Sequence, residues 1–98
     1  MPDENAVLGR VVLSRAGRDR GRAFLIVGIA DDAHVYIADG VVRKLANPKK
    51  KKLKHLQVEP AVSETIGAKL EGRTRVFDAE IRRNLMLLGY NTEEEQEG

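Results

Sequence analysis

The sequence predicts a mainly β domain with a C-terminal α part: a small antiparallel β-barrel followed by one or two short helices. Three observations carry this expectation. Between Gly9 and Pro60, five short apolar or alternating runs are joined by turns rich in Gly, Asp and Asn, and a thin sheet of that kind removes its exposed edges by wrapping. After Pro60 the apolar spacing becomes helical. The chain is 98 residues long and has no cysteine. At this size a domain buries only roughly 60–65% of its unfolded surface, so one compact core must carry stability without disulfides.

In order along the chain, residues 1–8 read as an acidic N-terminal tail. Val11–Leu13 is a short strand running into a Gly/Arg-rich loop, Ser14–Arg22. Ala23–Ile29 (AFLIVGI) is rich in β-branched and aromatic residues and too short for a typical helix, which makes it a buried strand. Asp31-Asp32 turns the chain into His34–Ala38, where Val35 and Ile37 point one way and His34, Tyr36 and Ala38 the other. Asp39-Gly40 is a strong hairpin signal, because a type I′ turn needs positive φ at both central residues. It predicts a fourth strand over Val41–Leu45. A basic loop, Ala46–Lys52, then leads to a fifth strand, Leu53–Val58.

In the expected extension, residues 61–90, Ser63–Leu70 reads either as a short helix or as an irregular connector, since Gly67 and Gly72 disfavour a helix. Asp78–Leu88 has Ile81, Leu85 and Leu88 at helical spacing, Asp78 placed to cap the first turn, and Gly89 where a left-handed C-cap belongs. A helix of this length is marginal alone and is expected to dock on the barrel. Met86 and Leu87 fall off its apolar stripe. Residues 91–98 (NTEEEQEG) contain no apolar side chain and are expected to be disordered. They read as a solubilising tail, or as a competitor for a basic surface.

Charge is distributed unevenly. The chain has a net charge of +2. Residues 9–57 alone carry 12 Lys/Arg against four Asp, residues 58–90 balance, and the two ends are acidic. The absence of Cys excludes disulfides, thiolate zinc, iron–sulfur clusters and cysteine nucleophiles, and suits a reducing, cytoplasmic setting. His34 and His55 are too few for a His-only metal cage. No Ser/His/Asp order or paired-carboxylate pattern suggests catalysis, so neither an enzyme nor a cofactor is expected. The longest apolar run, Ala23–Ala30, is far too short to span a bilayer, and the opening Met-Pro-Asp-Glu-Asn lacks the basic segment of a signal peptide. No membrane partner is expected.

Two basic features remain. In the loop Gly17-Arg18-Asp19-Arg20-Gly21-Arg22, glycine permits positive φ and close approach to a ligand, while Arg15, Arg18, Arg20 and Arg22 offer forked donors suited to phosphate oxygens. It is not a Walker A loop, because it lacks the Gly-Lys-Ser/Thr ending and enters a strand. The run Lys49, Lys50, Lys51, Lys52, with Lys54 beyond it, repels itself unless a polyanion supplies counter-charge. A plain solvated turn and a solvated lysine loop are the alternatives. Tyr36 reads either as a base-stacking residue or as a half-buried barrel tyrosine, and His34 and His55 as packed or edge residues.

These residues carry a resemblance. Gly9–Ile29 (GRVVLSRAGRDRGRAFLIVGI) resembles a KOW motif, a strand followed by a Gly-Arg-Asp-Arg-Gly-Arg loop and a second apolar strand, with Gly21 matching the motif's glycine. The similarity continues through DGVVRKL and KKKKLKHLQVEP. Gly9–Pro60 thus resembles the 14e family of large-subunit ribosomal proteins, and is similar to short KOW-domain RNA-binding proteins of bacteria. The resemblance implies an SH3-like barrel, no enzymatic activity, RNA (ribosomal RNA foremost) as ligand, and ribosomal proteins as possible neighbours of a chain that is monomeric when free. Arg18, Arg20 and Arg22 match the motif's loop contacts, and Lys49–Lys52 the family's basic segment. The expected RNA contacts are therefore Arg15, Arg18, Arg20, Gly21, Arg22, Lys49, Lys50, Lys51, Lys52 and Lys54. The competing expectation is a protein-binding KOW adaptor in transcription or translation, using the Met86-Leu87 edge.

Overall fold

The adjacent valines Val11 and Val12, buried on opposite faces, and the apolar run AFLIVGI form the expected strands. In the computed structural model, which describes residues 6–92, these are β1 (Arg10–Ser14) and β2 (Ala23–Ile29), followed by β3 (His34–Ala38), β4 (Lys49–Lys52) and β5 (Leu56–Val62). All five belong to one antiparallel sheet ordered β4-β3-β2-β1-β5. Two helices follow, α1 (Glu64–Glu71) and α2 (Asp78–Leu87). None of the helices among the described residues is long and apolar enough to cross a membrane.

The sheet has an apolar cluster on each face. Val12, Phe24, Ile26, Val35, Ile37, Leu53 and Leu56 make one; Ala6 and Leu8, from the segment expected to be a tail, pack against it. The other face offers Val11, Ala23 and Leu25, and these are covered by Ile66 of α1 and by Ile81 and Leu85 of α2. Burying Ile81 and Leu85 contributes roughly 3–5 kcal/mol, enough to hold a ten-residue helix that would be marginal alone. α2 thus docks on the sheet through Ile81 and Leu85 of the expected stripe, while Leu88, just past its end, stays 37% exposed.

The hydrogen-bonded ladder does not close into a barrel; β4 and β5 are its edges. The sheet is nevertheless strongly curved. Lys52 at the end of β4 and Leu56 at the start of β5 lie at diagonally opposite corners of the ladder. Laid flat, five strands would separate those edges by ~19 Å. Four Cα steps join Lys52 to Leu56, a reach of at most ~15 Å. That link is a single 3-10 turn, Leu53–His55. It is stitched to both sides, the Leu53 N–H donating to the Ala33 carbonyl at 2.8 Å and the Arg15 N–H to the His55 carbonyl at 3.2 Å.

Three expectations are corrected. Val41–Leu45 is a loop, not a strand, and Asp39-Gly40 is not a type I′ turn: Gly40 has φ +80°, but among the described residues the non-glycine ones with positive φ are Arg73 and Asn91, so Asp39 does not qualify. Asp39 is buried and its Oδ1 accepts the N–H groups of Val41 (3.0 Å) and Arg43 (2.8 Å). Gly40 is required by close approach, since a Cβ there would lie 2.3 Å from the Asp78 carbonyl oxygen of α2.

Secondly, the lysine run expected in a loop is strand β4, paired His34 to Lys52 through Ile37 to Lys49. Pairing with β3 overrides the poor strand propensity of lysine, and a charged edge discourages pairing with other chains. Thirdly, the fifth strand starts at Leu56 rather than Leu53 and continues through Pro60 to Val62. Proline is tolerated because β5 is an edge strand, and its register with β1 shifts between Arg10 and Val12.

The helix ends also differ from expectation. Ser63 caps α1, its Oγ accepting from the Ile66 N–H. In α2 the first-turn cap is the Glu80 carboxylate, which accepts the Phe77 N–H at 2.8 Å. Asp78 instead accepts the Leu45 N–H at 2.8 Å, tying down the loop after β3. The C-terminus of α2 is a Schellman motif around Gly89 (φ +93°), with Gly89 N–H donating to Met86 and Tyr90 N–H to Leu85. Asn91, expected in a disordered tail, is 6% exposed, and its side-chain amide holds both the N–H (3.1 Å) and the carbonyl (2.7 Å) of Ala23. Residues 93–98 lie outside the described residues.

Candidate nucleic-acid interface

The β1–β2 loop is built by two glycines with positive φ, Gly17 (+80°) and Gly21 (+84°). A Cβ at either would meet nothing within 4 Å. Conformation, not crowding, therefore selects glycine at both positions. The loop is held by Arg20 N–H to Gly17 O, Gly21 N–H to Ser14 O and Arg22 N–H to Asp19 O.

Its charged side chains divide into two sets. Arg22 turns inward and its Nε pairs with the fully buried Asp39 carboxylate. Asp19 receives Nε (3.2 Å) and Nη2 (3.1 Å) of Arg43 from the loop after β3. These two crossed ion pairs fasten the β1–β2 loop to residues 39–47. Arg22 thus belongs to the scaffold beneath the loop, and Arg15, Arg18 and Arg20 are its exposed guanidinium groups. The sequence pattern alone gave all four arginines the same weight. The partner that distinguishes Arg22, Asp39, is 17 residues away and read there as a turn former.

The lysines divide as well. Lys49 and Lys51 pair with Ile37 and Val35, whose side chains face the apolar cluster, while Lys50 and Lys52 pair with Tyr36 and His34 on the other face. Lys51 is partly buried and the other three are exposed, so the run is not a uniform cationic loop. Lys54 is exposed in the 3-10 turn, one residue from the His55 carbonyl that accepts the Arg15 N–H. Through that turn the edge strand and the arginine loop meet. Lys52 and Lys54 line one shallow depression and Arg15 and Arg20 another, and the Arg15–His55 hydrogen bond joins the two across the open seam; with Lys50, two residues before Lys52 on β4, these five cations make up a basic band. Among the described residues the ion pairs are Arg22–Asp39, His34–Asp31, Arg43–Asp19 and Lys69–Glu80, and none engages a cation of this band. Lys44, exposed beside Arg43, adds a cation to the loop end that the sequence pattern did not single out.

An acidic corner, Asp31 and Asp32, adjoins the middle of the band, where Asp32 borders Lys52 and Lys54. Asp31 accepts from the Ala33 and His34 N–H groups and contacts His34 Nδ1 at 2.9 Å. The hydrogen bond from the His34 ring, then that from the Ala33 amide, hold the Asp31 carboxyl below its ordinary 3.8. Asp32 and Ala33 line a shallow depression with Lys52, Leu53 and Lys54. Among the described residues no group of three or more His, Asp or Glu side chains is placed to hold a metal ion. The chemistry on offer is forked and point-charge donation to anionic oxygens. Compared with known proteins, the chain matches no protein family and no curated sequence.

Proposed function

We propose that this chain is a non-catalytic RNA-binding module, an SH3-like barrel of the KOW type completed by the 3-10 turn at its open seam, which grips the phosphate backbone of RNA, with ribosomal RNA in the large subunit as its foremost target. The observation that carries the reading is the basic band. Exposed cations from a glycine-shaped loop, a strand edge and the linking turn run along one seam, and among the described residues none of them is ion-paired. Such a surface gains free energy by releasing the counterions condensed on a polyanion.

The test is the salt dependence of binding to a short, fluorescein-labelled, mixed-sequence single-stranded RNA. Six neutralised phosphates, contacted by the five cations of the band and by Arg18, exposed in the same loop, give a log–log slope of about −4, at ~0.7 for each. Replacing the three arginines by Gln reduces it to about −2. Binding that ignores salt, or a slope untouched by the triple substitution, overturns the mechanism. Comigration with the large subunit on sucrose gradients, lost at high salt, supports the ribosomal target.

A second reading, a protein-binding adaptor, is supported by the exposed Met86 and Leu87 of α2 and Leu88 just beyond it, Leu87 being 77% exposed. Nuclease-resistant capture of a partner, abolished by Leu87→Lys and unaffected by the arginine substitutions, is the result that favours it.

A further inference from the structure

We propose that the outer face of β3 and β4 is a stacking site for an unpaired RNA base, with Tyr36 as the platform and Lys50 and Lys52 binding the flanking phosphates. The inference rests on the RNA-binding reading above and names a contact that phosphate grip alone does not supply.

Tyr36 lies between Val35 and Ile37 on β3, and these two neighbours fill the apolar cluster on one face. The tyrosine therefore points to the opposite face. There it is only partly buried and is packed against neither apolar cluster. Its cross-strand neighbour on β2 is Gly28. A Cβ at Gly28 would stand 3.2 Å from Tyr36 Cδ2 and 3.5 Å from its Cβ, so the missing side chain is what lets the ring settle on the β2 backbone. The ring is held on one side by the strand. It needs little further ordering to accept a flat partner on the other.

Two contrasts separate this tyrosine from one that serves packing alone. Tyr90 packs against the helix-side cluster and donates its hydroxyl to Glu59 Oε1 at 3.0 Å. Tyr36 Oη has no hydrogen-bond partner among the described residues. On the other side of Tyr36 the pairing is to Lys50, and the next pair on that face is His34 with Lys52. The two lysines are one two-residue strand step apart, ~6.7 Å, and are exposed, with no ion pair among the described residues. An aromatic ring on a sheet face with two cations on the adjoining edge strand, one opposite it and one diagonal to it, is an arrangement by which single-stranded RNA is stacked and held.

The chain has two tyrosines and no tryptophan, so Tyr90→Phe leaves Tyr36 as the sole fluorophore of its class. Titrating that variant with oligouridylate should quench the tyrosine emission to a saturable plateau, whereas an all-abasic oligonucleotide of equal length and charge should bind through the phosphates and leave emission unchanged. In an otherwise unaltered chain, Tyr36→Leu should weaken oligouridylate binding about tenfold or more, with the salt slope retained and binding to duplex RNA unchanged. Tyr36→Phe, which keeps the ring, should stay within about twofold of the parent. Unquenched emission at saturation, or equal losses for single-stranded and duplex RNA in Tyr36→Leu, overturns the stacking site while leaving the salt-dependent phosphate grip standing. Absence of salt-dependent binding to every probe overturns both.

Discussion

Replacing Asp39 by Ala tests how the two loops of the interface are held. The carboxylate is fully buried and accepts from Arg22 Nε and from the N–H groups of Val41 and Arg43. Removal strands two backbone donors, each worth about 1 kcal/mol in a partly buried setting. It also leaves the Arg22 guanidinium, whose side chain is only 19% exposed, without its counter-charge, at about 2–3 kcal/mol. The expected loss is therefore about 4–5 kcal/mol, against a total of about 5–15 kcal/mol for a domain of this length. Urea unfolding followed by circular dichroism measures it directly, and the corresponding drop in Tm is roughly 15–30 °C.

A cycle with Arg22→Met sharpens the test. Each single substitution strands a buried partner that the double variant does not, so the double should be more stable than additivity predicts by about 2–3 kcal/mol. A loss below about 1 kcal/mol for Asp39→Ala, or strict additivity, would refute the claim that this pair anchors the loop.

Three further outcomes follow from the same structure. Asn91→Ala should cost about 2–4 kcal/mol by urea unfolding, since it strands the buried N–H and carbonyl of Ala23, and Asn91→Gly, which relieves the +47° φ but restores neither bond, should recover only the backbone part. Arg73→Gly should stabilise the fold by about 0.5–1 kcal/mol in the same assay, because Arg73 occupies the left-handed position (φ +57°) of the motif ending α1 while Gly72 precedes it at φ −80°. Burial first, and then the hydrogen bond to Glu59, raise the Tyr90 phenol above its ordinary 10.0. The neutral form is the one the fold favours, so this contribution is full below pH 10 and is lost as pH climbs through the folded value. Absorbance titration of the Tyr36→Phe variant should place the Tyr90 transition above 10.0, and Glu59→Gln should move it part of the way down.

Much of the candidate interface was legible because its signals are local. Glycines at positions 17 and 21 and the arginines between them announce a loop with positive φ and cationic side chains, and both properties persist whatever surrounds them. Arg22 was not legible, because what turns it inward is Asp39, brought alongside by the β2–β3 pairing. The lysines were recognised as cations but not as a strand. Their two faces are assigned by register with β3, and nothing within KKKK encodes a register.

By itself, the sequence determined β1, β2, β3 and the body of α2, the glycine-shaped loop and the basic character of residues 9–57, since each follows from short-range periodicity, composition or backbone freedom. Only the tertiary structure decided that the lysine run is an edge strand, that Asp39 is an anchor rather than a hairpin turn, and that Asn91 belongs to the fold. It also decided that one 3-10 turn carries the chain across the seam, bringing the lysine edge to the arginine loop. The reason is physical: each of these outcomes depends on a hydrogen-bond or ion-pair partner distant in sequence, and for β4 that partner, β3, outweighs the local propensity of its own residues.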